Sequence, residues 1–369
     1  MRNRTERLVE LDALRGLAAL CVLLHHGWLS QPIHPSPLRW LFGHTPLQVA
    51  IDGRQPVLFF FVLSGFVLAR GLLSAPPPSW ANYAAQRTVR LGLPVAAALV
   101  ASVLMLAVAR KGSLPPWQGG SFMVGVVWPE WPSIVDLLRQ ALLLGHADQI
   151  GLNPVLWSLV HEWRVSLLLP GVLLFRGRPA ALLCFGAAAY ALALALGARA
   201  NITVLGDSLA ATFRATLYFL LPFAAGGALA LAGGRLRLSG PARWLAGLAV
   251  LALACSDADL AAVAGSALLI LLALEPGPLL ARLRHPAAIW LGKVSFSLYL
   301  IHLPLLACMV HLLHGALPIT LIVALGMLLS FPAAALLHRV AEAPAHRLAR
   351  RVVAKRTAER PRHAVPALR

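Results

Sequence analysis

The sequence predicts an all-α, polytopic integral membrane protein of about ten transmembrane helices with both termini cytoplasmic. Composition, the spacing of apolar runs and the placement of basic residues carry this prediction. Of 369 residues, 59% are hydrophobic and only 12% charged, against about 25% charged in an ordinary soluble domain. Such a chain lacks the polar surface to close as a soluble globule. Apolar runs of near-membrane length fill residues 11–341 with no long polar domain between them, so residues 1–342 read as one transmembrane domain and 343–369 as a basic cytoplasmic tail.

With about 20 apolar residues per crossing, helices are expected over 11–30, 56–74, 91–109, 155–175, 179–197, 210–232, 242–256, 260–275, 290–313 and 318–341. The seventh and eighth are short and separated by Ser256, Asp257, Ala258 and Asp259, which reads as a tight hairpin or a miscounted pair. The two longest connections, 31–55 and 110–154, are rich in Pro, Trp and His. The second holds Trp117, Trp128 and Trp131, expected as anchors at the lipid headgroups, and an interfacial amphipathic helix is expected over 133–144.

The basic residues test the count, because cytoplasmic connections concentrate Lys and Arg. Ten crossings put Arg2, Arg4 and Arg7, Arg70 with Arg87 and Arg90, Arg176 and Arg178, Arg235, Arg237 and Arg243, Arg282, Arg284 and Lys293, and the tail from Arg347 inside. The outer segments keep only Arg39, Arg54, Arg110, Lys111, Arg139, Arg199 and Arg214. In a chain of formal charge +18, this bias speaks for topology and contact with anionic lipid rather than nucleic acid. The four cysteines, Cys21, Cys184, Cys255 and Cys308, lack the paired spacing of a metal or redox motif; free thiols and no metal site are expected. The first apolar run carries Asp12, Arg15, His25 and His26, unlike the uninterrupted core of a signal peptide, so the N-terminus is expected to be retained.

A charged residue within a span costs at least about 2.5–3.5 kcal/mol on insertion scales, so it normally faces a cavity or a partner. At about 100° per residue, His26 returns to within about 20° of the Arg15 face, and the two stand roughly 16 Å apart along the helix. His25 lies off that face and reads as the packing residue. Asp12, three residues before Arg15, is placed to pair with it. In the fourth helix, Trp157, Ser158 and Glu162 share a short segment, and Glu162 is expected at the depth of His26, where a carboxylate would orient an imidazole base. The competing reading pairs Glu162 with Arg164 or His161. Ser64-Gly65 forms a small notch in the aromatic second helix, which points to close helix packing. Arg87 and Arg90 stand at the mouth of the third helix, suited either to bidentate phosphate binding or to fixing orientation. Tyr299 and His302 lie one turn apart in the ninth, as ligand contacts or as an interhelical hydrogen bond.

In this order the segments resemble the family-three membrane acyltransferases. The matching pieces are Leu11-Asp12-Ala13-Leu14-Arg15-Gly16 with His26 beyond it, Phe60-Phe61-Val62-Leu63-Ser64-Gly65-Phe66, Arg87 and Arg90 before Pro94, Trp157-Ser158-Leu159 with Glu162, and Gly292 to His302. The resemblance implies a ten-helix domain of the bacterial inner membrane that moves an acyl group from cytoplasmic acyl-CoA, acetyl-CoA first, to a hydroxyl of a carbohydrate or other envelope acceptor. Carried over by motif, it makes Arg15 and His26 one functional pair and Trp157, Ser158 and Glu162 a functional trio. The chain departs from the family before the double Phe, where Pro56-Val57-Leu58-Phe59 stands and Asp52 is the nearest carboxylate.

The mechanism expected on these grounds makes His26 the general base, oriented by Glu162, while Arg15, Arg87 and Arg90 bind the coenzyme and Asp12, Ser64, Trp157, Ser158, Tyr299 and His302 bind acceptor or support the site. No bound cofactor is expected beyond the acyl-CoA co-substrate. Two alternatives stand beside it: a transporter or flippase using the buried His, Glu and Arg as a relay, and acylation of a small molecule such as an antibiotic or a lipid.

Overall fold

The computed structural model describes residues 8–31, 37–74, 77–109, 126–128, 131–146, 150–233, 238–275 and 277–358. The basic residues at positions 2–7, 110–111 and 235–237, and Trp117, lie outside the described residues. The described chain is helical, with no strand. In order the helices are α1 (Val9–Leu29), α2 (Pro37–His44), α3 (Arg54–Ser74), α4 (Trp80–Ala109), α5 (Ile134–Ala141), α6 (Leu156–Leu168), α7 (Pro179–Ala195), α8 (Leu209–Tyr218), α9 (Leu220–Leu231), α10 (Gly240–Ala254), α11 (Asp259–Leu274), α12 (Pro286–Leu313), α13 (Ile319–Leu337) and α14 (Ala343–Ala358).

A helix occupies each of the ten expected segments, and among the described residues six helical runs are long and apolar enough to cross a membrane. The remaining four are α1, which carries the charged motif, and the shorter apolar helices α7, α10 and α11. Of the two readings at 256–259, the structure has the hairpin: α10 and α11 are separate helices joined by Cys255–Ala258. Large side chains such as Leu104, Leu168 and Leu336 stand exposed on the outer faces, an apolar belt suited to lipid rather than water.

Helix α12 is the axis of the bundle, with Leu298, Leu300, His302, Leu303 and Leu306 fully buried. Two close crossings set the geometry around it. At the α1–α12 crossing, a Cβ on Gly16 would overlap the Leu291–Gly292 backbone, and one on Gly292 would overlap that of Asp12. At the α3–α9 crossing, a Cβ on Gly65 would overlap the Phe223 carbonyl, and one on Gly226 the Val62 carbonyl. Gly65 of the Ser64-Gly65 notch is therefore a packing device, as small residues at membrane helix interfaces are.

Three expectations change. Trp128 is buried, donating its indole N–H to the Leu152 carbonyl at 3.0 Å, so it ties the 126–152 connection together; Trp131 is exposed. Residues 343–358, read from the sequence as basic tail, are helical, because α13 runs through a π-helical turn, His338–Glu342, into α14. Ala345 and Ala349 are buried, small enough for α14 to lie along α4. The expected interfacial helix is present but shorter, as α5, and Ser133 and Asp136 close its first turn as a reciprocal capping box.

Candidate active site

Helix α1 carries both halves of the site. Half-buried Arg15 donates from Nε to Ser295 Oγ at 2.9 Å and from Nη2 to the Gly292 carbonyl at 2.8 Å, with the Asp12 carboxylate 3.8 Å away. These bonds pin the guanidinium at the glycine crossing of α1 and α12. Around it lies a first cavity of about 230 Å³, lined also by Asp12, Ser64, Arg87, Arg90, Ser158, Glu162 and Tyr299. Buried Arg87 donates from Nη2 to Glu162 Oε1 at 3.1 Å and from Nε to Ser166 Oγ at 3.3 Å, and Ser64 donates to the same Glu162 oxygen at 3.1 Å. Arg90, exposed at the rim, has no ion-pair partner among the described residues.

At the other end of α1, His26 lines a second cavity of about 810 Å³ with His25, Asp52, Arg54, Trp157, Asn201 and Tyr299. Its Nδ1 lies 3.0 Å from the Val22 carbonyl and 3.0 Å from His302 Nε2. His302 is fully buried and its Nδ1 lies 2.9 Å from the Leu298 carbonyl. A carbonyl only accepts, so each Nδ1 carries the proton in these contacts. His302 Nε2 is then an acceptor for His26 Nδ1–H, which leaves the lone pair of His26 on Nε2.

Val57 and Tyr299 line both cavities. The Tyr299 hydroxyl donates to the Val155 carbonyl at 3.0 Å and lies 2.7 Å from Ser158 Oγ, while its ring meets Phe60 edge-on. This septum lies between the arginines and His26. The frame of the second cavity is polar. Arg54 makes a two-pronged ion pair with buried Asp259 and also donates to the Thr203 carbonyl, Tyr218 donates to the same Asp259, and Asn201 Oδ1 accepts from the Asp259 amide at 2.7 Å.

The structure thus brings Asp12, Arg15, Ser64, Arg87, Arg90, Ser158, Glu162 and Tyr299 to one cavity and His26, Trp157 and Tyr299 to the other, with His302 behind His26. It does not place Glu162 as expected. The carboxylate meets Arg87 and Ser64, and the partner at His26 Nδ1 is His302. The reason lies before the helix: Asn153 donates to the Leu300 carbonyl and Val155 accepts from Tyr299. The chain is already deep in the bundle when α6 begins, and Glu162, about two turns on, reaches the level of Arg87. Neither alternative partner holds either, since His161 bonds Thr216 and the Val204 carbonyl and Arg164 stacks over Phe213. Asp52 caps α3, accepting from the amides of Arg54 and Gln55 at 2.6 and 3.0 Å. His25 lies 2.8 Å from the Ile51 carbonyl and lines the second cavity beside His26.

Sequence reasoning missed Ser295, Glu342 and His346, which also line the first cavity. The signal for the last two was present, because His338, Glu342 and His346 recur at intervals of four and share a helix face. Glu342 accepts from Ser297 at 2.7 Å, tying the π turn to α12.

The fold and site define an all-helical membrane protein with a cationic cavity and a histidine cavity meeting at a shared wall. The family model described as an acyltransferase domain, that of acyltransferase family three, matches residues 8–339, and the chain belongs to that family. No curated protein and no solved structure gives a significant match.

Proposed function

We propose that this acyltransferase moves an acyl group, acetyl first, from acyl-CoA held at the first cavity to a hydroxyl of an acceptor held in the second. The observation that carries the reading is the shared wall: Val57 and Tyr299 border both cavities, with Arg15 on one side and His26 on the other. The roughly 16 Å rise between Arg15 and His26 suits an extended pantetheine arm whose phosphates stay with the arginines. Arg15 and Arg87 are pre-positioned by hydrogen bonds, and Arg90 offers an uncommitted fork for a phosphate. Glu162 serves on this donor side by holding Arg87 and Ser64.

His26 Nε2 removes the acceptor hydroxyl proton as that oxygen bonds to the thioester carbonyl carbon. The carbon–sulfur bond then breaks, and the proton passes from Nε2 to the departing thiolate. His302 Nε2 and the Val22 carbonyl accept from Nδ1–H throughout and stabilise the imidazolium, which is the part expected of a general base's partner. A hydroxyl-rich saccharide suits the polar rim of Asp52, Asn201 and Asp257 with the Trp157 ring beside it. The basic-residue bias favours an arginine cavity on the cytoplasmic side, with both termini inside after ten crossings, and membership of the family favours a bacterial inner membrane.

The test supplies acetyl-CoA labelled in the acetyl group to membranes holding the intact chain or His26→Ala at matched expression, with envelope glycans and lipids as acceptors. Label should enter product only with His26 present. Equal transfer by both would refute the base, and substrate movement that needs no acyl-CoA would favour a transporter.

A further inference from the structure

The cavities already described do not account for a third concavity on the opposite face of the α13–α14 run. It is a cleft of about 500 Å³ between the start of α12 and the π turn, and it contains Trp290, Lys293, His338, Arg339 and Arg347. We propose that this cleft binds the phosphate headgroup of an anionic phospholipid. The inference rests on the membrane placement of the chain and not on the transfer reaction.

Charge is the first argument. Lys293, Arg339 and Arg347 are exposed and converge on one cleft, and none of them has a hydrogen bond or an ion pair among the described residues. The nearest carboxylate on their own run, Glu342, is buried, and its Oε2 meets Ser297 Oγ at 2.7 Å and His338 Nδ1 at 3.0 Å. Like charges gathered without a counterion repel one another, and an anion in the cleft removes that cost. Three cationic side chains suit a phosphate, whose oxygens accept from several donors at once.

Backbone geometry is the second argument. Trp290 and Lys293 lie one turn apart on α12. Arg339, Ala343 and Arg347 follow at intervals of four, so they stack on one face with the small Ala343 as the floor between two guanidinium groups. The π turn that starts this row is of a kind found at functional sites. Glu342 and His346 line the first cavity, and Glu342 also meets His338 of this cleft, so the helical run borders both sites.

Position favours a lipid over a soluble phosphate. Arg15 bonds the Gly292 carbonyl beside Lys293, so the cleft lies at the end of the bundle where α1 starts, the end assigned to the cytoplasm. Leu336 and Val340, 62% and 60% exposed, carry an apolar surface away from the basic residues, where acyl chains would lie. Trp290 is exposed and rests on Phe331 at 6.5 Å between ring centres, as an indole at a headgroup level does. Basic pockets between helices on the cytoplasmic side are sites of this kind.

The experiment places the purified full chain in phosphatidylcholine vesicles containing either phosphatidylglycerol or phosphatidylcholine brominated on its acyl chains. The Trp290 contribution is the tryptophan fluorescence of the wild type minus that of Trp290→Phe. Brominated phosphatidylglycerol should quench it at least twofold more than brominated phosphatidylcholine at equal mole fraction, and Lys293→Gln/Arg339→Gln/Arg347→Gln should abolish the difference. Equal quenching by the two lipids, or an unchanged preference in the triple variant, overturns the proposal. If the triple variant does not purify as a folded protein, the wild-type comparison of the two lipids decides. Reversal of the quenching by millimolar inorganic phosphate or coenzyme A would reassign the cleft to a soluble phosphate and also overturn it.

Discussion

His302 Nε2 stands 3.0 Å from His26 Nδ1 across the α1–α12 interface, so the orientation of the proposed base is set by a second imidazole. The buried His302 ring is itself fixed by the Leu298 carbonyl one turn back, and the lone pair of His26 is directed to the opposite nitrogen.

Replacing His302 with Phe keeps a ring but removes the acceptor for His26 Nδ1–H. The rate of transfer should fall by about 10²-fold, within the range for a general base that loses its activation, while the KM for acyl-CoA stays near wild type because the arginines are untouched. Steady-state kinetics with both substrates varied checks this split; a raised KM at unchanged kcat would place His302 in donor binding instead.

Arg90→Gln removes a cation that has no ion-pair partner at the first cavity, so nothing buried is orphaned and the protein should fold. Losing one charged hydrogen bond of about 1.5–3 kcal/mol to a phosphate should raise the KM for acyl-CoA roughly tenfold or more. The penalty should shrink for an acyl-pantetheine donor, which lacks the nucleotide and its phosphates. Comparing the two donors in the same membranes reads this directly.

The helices were legible because apolar length is a strong signal, and so was the Arg15–His26 relation, which needs only helical geometry within one segment. The partner of His26 was not legible. It depends on the relative depth of two helices, and that depth is set by where residues 150–155 enter the bundle. Asn153 and Val155 reveal it only through their bonds to Leu300 and Tyr299. The helical continuation past Glu342 was hidden for another reason: Pro344 and the many arginines read as a terminus, whereas buried Ala345 and Ala349 hold α14 against α4.

Tyr299→Ala should open the wall between the cavities, removing the ring that borders both and the hydroxyl that bonds Val155 and is held by Ser158. With the passage around the pantetheine arm widened, water would compete with the acceptor at the thioester, and coenzyme A thiol release in the absence of acceptor should rise several-fold while coupled transfer falls. Thiol release measured beside product formation gives the ratio. An unchanged ratio would mean that Tyr299 does not separate the two cavities.

Asp259→Ala tests the frame of the second cavity. Asp259 is 3% exposed and takes both prongs of Arg54, the Tyr218 hydroxyl, and the link to Asn201 through its amide. Truncating it leaves the Arg54 guanidinium without its carboxylate in a partly buried place, a change that costs about 3–5 kcal/mol for a buried pair. Much of the protein should be lost on extraction into detergent. Removing the cation as well, in Arg54→Met/Asp259→Leu, replaces the pair by apolar side chains and should recover most of that stability. It would not recover transfer, because Arg54 also holds the Thr203 carbonyl and so the loop of Asn201 beside the acceptor. Thermal unfolding in detergent, measured for both variants, separates the two contributions: recovery of the melting temperature without recovery of activity assigns the ion pair to stability and the Arg54–Thr203 bond to the shape of the cavity.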